Sequence, residues 1–421
     1  MSHAIDTNLI MARDNIELSE GAGRGLSSVL IGVGAVGIAA TILAAFSGDE
    51  AMATIAAHAY HTGVMAVIGF SVAAMGFVMI LQQTNAGWSA TIRRQFENIM
   101  SLIWVGGLLF IVDIAFQLLM NSARHVYIWD WMNAAHTAGD ELYRHKSGYL
   151  NVPFFAARAI AYFIIWFVLA RSLWEYSTRQ DIDGDKWHTA RARTLSAPGL
   201  LLFAFTSAFA AFDWMMTLDY HWFSTMFGVY FFAGSMVSML ALGALILITL
   251  RAFGRLHGAF TDEHLHDLGK LIFAFTVFWA YISFSQYFLI WYANIPEETA
   301  WMLRRKIGSW EWLSWLLPIG HFIIPFILLL PRPMRRSRKA VALVSLWLIV
   351  MHLFDLYWAI RPEAKIEGQD TILGPSPIDV IAVVAPVLVF IGFLIRKVGS
   401  GPLIPLKDPR LPEGLAHKNY V

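Results

Sequence analysis

The stretch LSAPGLLLFAFTSAFAAFDWMMTLDYHWFSTMFGVYFFAGSMVSMLALGALILITL, residues 195–250, decides the fold. It holds two long apolar runs, Leu200–Met216 and Trp222–Leu250, joined by Thr217-Leu218-Asp219-Tyr220-His221. About 20 apolar residues cross a bilayer core as a helix, and so short a link makes the two runs antiparallel neighbours. Yet Asp213 lies inside the first run, with Asp219 and His221 at the bend. An ionisable group at membrane depth is costly, so it faces a bundle interior or a water-filled cavity and serves a purpose. The stretch reads as part of a membrane protein with a buried polar site.

Composition agrees. The chain is 57% hydrophobic and 14% charged, against roughly 25% charged in soluble domains. A net charge of +1 gives no reason to invoke nucleic acid. There is no cysteine, which removes disulfides, thiolate-held iron–sulfur clusters and covalent c-type haem. A metal redox centre working with this chain is therefore histidine-ligated or sits in a partner. Met1–Gly25 lacks an early apolar core, so no cleavable signal is expected.

Outward from the central stretch, hydropathy predicts an all-α polytopic protein with ten spans. They run Ser27–Phe46, Ala51–Leu81, Phe96–Leu119, Pro153–Tyr176, Leu195–Met216, Trp222–Leu250, Leu271–Tyr292, Trp310–Leu330, Ala340–Ile360 and Ile378–Ile395. Residues 27–395 form one membrane domain between tails 1–26 and 396–421. Pro318 and Pro325 in the eighth span and Pro386 in the tenth predict kinks. The tails and the even-numbered connections carry more than twice as many Lys and Arg as the odd-numbered ones. Both termini are therefore expected in the cytoplasm, with Arg332–Lys339 as a topology anchor. The C-tail from Gly399 is Pro-punctuated and expected to lie extended along a surface.

With that orientation, depth can be compared between spans. Asp113, Asp213 and Asp355 each lie near the outer end of an outward-running span. His58 and His61 open the second span and Arg158 sits in the second turn of the fourth. His352 shares a helix face with Asp355, and His321 lies deeper, between Pro318 and Pro325. The inner halves offer mainly hydroxyls: Ser101, Thr206, Ser207, Ser235, Ser238 and Thr276. This layer reads as an outer half-channel for protons rather than a complete wire. Asp113 or Asp213 could equally be half of a structural pair with Arg158, doing no chemistry. His58 is close enough to the interface to be merely solvated, and ranks below His61. Only His321 with His352 could serve as facing haem ligands. Phe212-Asp213-Trp214 and Phe354-Asp355-Leu356, four spans apart, hint at two parallel four-helix bundles, spans two to five and six to nine, flanked by spans one and ten.

Several motifs are similar to a known family. They are Tyr149-Leu150-Asn151-Val152-Pro153-Phe154-Phe155 with Arg158; Phe212-Asp213-Trp214-Met215-Met216 through His221-Trp222-Phe223-Ser224 to Gly234-Ser235; Ser285-Gln286-Tyr287 through Trp291-Tyr292-Ala293-Asn294-Ile295-Pro296-Glu297-Glu298; and His321–Pro325. The set resembles the membrane subunits of bacterial alternative complex III, most closely the ActF-like ones, which are similar to the NrfD/PsrC family. The resemblance implies two four-helix bundles plus two flanking helices, in the bacterial inner membrane. It implies a subunit of a quinol:cytochrome c, or quinol:oxidase, oxidoreductase that binds no cofactor of its own. Quinone is expected mainly on an ActC-like partner, and iron–sulfur clusters and c-type haems on further subunits, with a terminal oxidase as another neighbour. It also implies a polar proton path in this chain. Arg158 and Asp213 fall inside matching motifs and His321 on a short match; Asp219, His221 and Gln286 are secondary candidates. His61, Asp113, His352 and Asp355 rest on depth alone. Two other classes stand beside this one: a proton-coupled secondary transporter, for which the Pro-broken eighth span would be the substrate site, and a membrane scaffold whose outer aromatic loops dock redox subunits.

Overall fold

The computed structural model describes residues 7–366 and 372–419. Among the described residues ten helices are long and apolar enough to span a membrane, so the protein is an all-α multi-pass membrane protein. They are α1 (Arg24–Ser47), α2 (Glu50–Gln83), α3 (Arg93–Arg124), α4 (Val152–Asp183), α5 (Lys186–Leu218), α6 (Phe227–Ala252), α7 (Asp262–Ala293), α8 (Ser309–Leu329), α9 (Arg338–Glu363) and α10 (Pro377–Val398). All ten predicted spans are present. Helices α4, α5 and α7 run well past the predicted ends into polar sequence, because i→i−4 bonding does not stop where hydropathy does.

Local chemistry sets the boundaries. Asp49 caps α2 by accepting from Met52 N at 2.8 Å, directly after α1 ends at Ser47, so these helices must be antiparallel. Asn151 caps α4 through Phe154 N, with Pro153 in the first turn. Gly184 at φ 73° closes α4, and Asp185 at once caps α5. At Ser376 and Asp379 a reciprocal capping box opens α10.

Helix α2 is buried almost throughout and is the hub; α1 is mostly exposed. Helices α2, α3, α4 and α5 close one four-helix bundle and α6, α7, α8 and α9 the other, as the repeat hint predicts. The bundles meet where α6 packs on α2 and α5. Helices α1 and α10 pair tightly beside α2, outside both bundles. Gly34 permits that pairing, since a Cβ there would lie 2.7 Å from the backbone carbonyl of Ala385.

Both tails share one end of the molecule, called here the tail face. Leu403 N donates to Ile16 O at 2.7 Å, and Asn15 bonds the α6–α7 connection at His257. The C-tail is not merely extended on a surface: Leu403, Ile404 and Asp408 are buried, with Asp408 held by Arg93 at 2.5 Å and Arg410 at 2.9 Å.

Two expectations change. The α5–α6 connection is longer than five residues, because α6 begins at Phe227 rather than Trp222. Its apolar side chains fill a loop core instead of a helix face, Trp222 stacking on Trp301 at 4.3 Å. The expected kink in α8 takes the form of a π-helical turn, Leu317–Ile323, carrying Pro318 and His321. Helix α10 runs on through Pro386.

Candidate functional site

The side chains singled out by depth form three groups near the end opposite the tails. The first joins α2, α3 and α5. His61 Nδ1 lies 2.6 Å from Asp113 Oδ2, and His61 Nε2 lies 2.9 Å from the carbonyl of Trp214. Gln117 Nε2 donates to Asp113 Oδ1 at 3.1 Å. Trp129 sets its ring edge-on to the imidazole at 5.4 Å, and both His61 and Asp113 are fully buried. A carbonyl only accepts, so Nε2 is the donor toward Trp214, which leaves Nδ1 facing the Asp113 carboxylate.

The second group is a staple. Arg158 donates to Asp213 twice, Nε to Oδ2 at 2.8 Å and Nη2 to Oδ1 at 2.9 Å, and Tyr162 Oη adds a third donor at 2.9 Å. Stacking of the guanidinium on Tyr149 (3.8 Å) and Phe154 (4.4 Å) completes its enclosure. With three donors, one of them a bidentate guanidinium, Asp213 joins α4 to α5. Of the two structural pairings considered for Arg158, this one forms, and Asp113 goes to His61.

The third group lies in the other bundle. Asp355 accepts from Tyr230 Oη, and from Trp279 Nε1 at 3.0 Å. His352, three residues earlier, stays 3.9 Å away, too far to bond. His321 on the π-turn stacks on Trp279 at 3.9 Å and is fully buried. Both ring nitrogens of His321 and of His352 are buried without hydrogen-bond partners among the described residues. Gly234 allows this packing, since a Cβ would lie 2.9 Å from His352 Nδ1.

His58 is corrected: it is buried, not solvated. Its Nδ1 donates to Thr54 O at 2.9 Å, which leaves Nε2 an acceptor with no partner. Thr54 lines a polar cavity of about 500 Å³ on the face opposite the tails, with Asp130, His136, Asp219, Arg304 and Lys365 among its walls. Of the secondary candidates, Asp219 and His221 line that cavity and Gln286 does not. Asp219 pairs with Arg304, His221 Nε2 lies 2.8 Å from Asp140, and Gln286 accepts from Ser224 at 3.2 Å. Burial pushes the Asp219 carboxyl up, but the Arg304 guanidinium outweighs it and holds it below the usual range. Asp130 moves the other way: burial raises it to about 6, against the opposing charge of Lys365 and His136.

Sequence reasoning missed four features. Arg361 binds Asp379 at 2.9 Å, tying α9 to α10. Arg304 and Arg305 converge on Glu363 at 3.2 and 3.0 Å. The tail face holds a buried ionic core of Arg93, Arg94, Glu97, Asp181, Asp408 and Arg410. Finally, an apolar groove of about 830 Å³ runs between α3 and α4, with Gln117 and Trp129 at its polar end. Gln117 Oε1 and Trp129 Nε1 are both buried and unpartnered. Only the Trp129-Asp130-Trp131 cluster gave advance notice of any of these. Among the described residues no three His, Cys, Asp or Glu side chains converge as a metal cage.

Comparison with protein-family models and with curated proteins returned no match. Fold and site together define a multi-pass membrane protein with buried protonatable pairs beneath one face.

Proposed function

We propose that this chain is an ActF-like, cofactor-free membrane subunit of a quinol-oxidising respiratory complex in the bacterial inner membrane, with the tail face cytoplasmic. Its work there is to carry protons released by quinol oxidation. The observation that carries this reading is the fully buried 2.6 Å contact between His61 and Asp113. Oxidising one quinol yields two electrons and two protons; the electrons leave to iron–sulfur clusters and c-type haems on partner subunits. A buried pair that is neutral with its proton and charged without it is suited to take up a proton and pass it on. His58 and Thr54 lie on the same face of α2, and Thr54 lines the polar cavity. Asp355 supplies a second carboxyl with no bonded cation among the described residues. The quinol itself is assigned to an ActC-like partner.

A second reading has its own observation. The groove between α3 and α4 ends at Gln117, which is bonded to Asp113, so a quinol head seated there would meet the proton pair directly. Labelling with a photoreactive quinone separates the two: label on α3 or α4 places the quinol here, and label confined to a partner keeps it there. For the broader reading the test is tagging this chain and purifying it from native membranes. Multi-haem and iron–sulfur subunits should co-purify with quinol oxidation activity. Isolation of the chain alone, with solute uptake in liposomes, would instead favour the transporter class.

A further inference from the structure

At the tail face a pocket of about 350 Å³ opens between the start of α1 and the end of α10. Arg24, Ser28, Arg396 and Ser400 line it, and no carboxylate does. Arg396 is held in place by hydroxyls: Nε donates to Ser27 Oγ at 2.8 Å and Nη2 to Ser28 Oγ at 2.9 Å. Ser27 is fixed in turn, donating to Gly392 O at 2.8 Å across the α1–α10 contact. These bonds use two of the five N–H groups of the guanidinium and leave the rest for a ligand.

The neighbouring arginines show what is different here. Arg93 holds Glu97 and Asp408, and Arg336 holds Glu263. Among the described residues Arg24 and Arg396 have no such carboxylate, so two cations share one pocket uncompensated. The bend entering the pocket is built from Gly21 and Gly23, at φ 81° and 74°. At Gly23 any Cβ would strike Ile395 at 2.6 Å, which keeps the rim close to α10. Beyond the pocket, toward the membrane middle, Leu26, Val29 and Val33 form an exposed apolar stripe on α1. A cationic pocket at the interface, continued by a lipid-facing stripe, matches the two halves of one molecule.

We propose that this pocket seats the phosphate head group of an anionic phospholipid, with its acyl chains along the Leu26–Val33 face of α1. Two interfacial arginines favour an anionic head over a neutral one by about thirtyfold.

The test uses the full chain purified in detergent and offered equal amounts of phosphatidylglycerol and phosphatidylcholine, with bound lipid read by native mass spectrometry. One phosphatidylglycerol should be retained per chain, and the Arg24→Gln/Arg396→Gln double variant should bind it about thirtyfold more weakly. Equal retention of the two lipids, or equal binding by the variant, would overturn the proposal. Inorganic phosphate alone serves as a separate arm: if it raises the melting temperature as much as phosphatidylglycerol does, the site is one for free anions and the lipid assignment fails. Should the double variant not fold, a photoactivatable phosphatidylglycerol in wild-type membranes decides. It should label residues 24–33, and labelling that spares α1 would refute the site.

Discussion

At the scale of single residues, what decides behaviour is whether a buried ionisable group is locked or free. Asp213 is locked. Removing one member of a buried pair leaves the other charge unpaired, which costs about 3–5 kcal/mol, whereas replacing both with apolar groups is far milder. Asp213→Ala should therefore lower the melting temperature of the purified protein sharply, and Arg158→Leu/Asp213→Leu much less; equal losses would mean the pair is not what joins α4 to α5. Asp130 is the opposite case. Its folded carboxyl is raised to about 6 by burial, while the unfolded one stays near the ordinary value of 3.8. The folded state thus binds the proton more tightly, so this contribution to stability is full below about pH 4 and is lost as pH rises through about 6. The wild type should lose melting temperature relative to Asp130→Asn across that window and not above it; a constant difference from pH 4 to 7 would place the carboxyl in water. Sequence alone set Asp113, Asp213 and Asp355 at one depth but did not say which acid took Arg158. That choice depends on the rotation of α3, α4 and α5 about their own axes, which hydropathy does not encode.

At the scale of elements, helix contacts are governed by where backbones approach. Gly34 faces the Ala385 carbonyl and the Val389 amide, neither of which can swing away. Gly34→Val should force α1 off α10 and cost about 1–3 kcal/mol, the usual range for overpacking, read as a lower melting temperature. An unchanged value would show that α1 is not seated there. The proline pair in α8 announced an irregular helix, but not that it would become a π-turn presenting His321 to Trp279. The end of α5 was legible and the start of α6 was not, because Trp222 and Phe223 look like span residues by composition. Trp222 instead builds the aromatic core of the loop with Trp301, a contact 79 residues away in sequence that no local pattern carries.

For the whole molecule, ten spans and their grouping into two bundles could be read from hydropathy and a two-motif echo, since span length is fixed by bilayer thickness. The tail-face ionic core could not: Arg93 and Asp408 lie 315 residues apart, and each alone looks like an ordinary interfacial charge. Of the candidate site, the residues were visible and their wiring was not. The His61–Asp113 contact is a property of assembled helices, because it depends on α5 presenting the Trp214 carbonyl to a histidine on α2. The proposed proton handling depends on that contact. The direct measurement is quinol-driven proton release and electron transfer by the complex this chain is proposed to join, carrying Asp113→Asn. If the pair handles protons, turnover or protons released per electron should fall at least about tenfold, while the complex still assembles with its haem content intact. Wild-type rate and stoichiometry in that variant would contradict the claim and leave the pair with no part in proton handling.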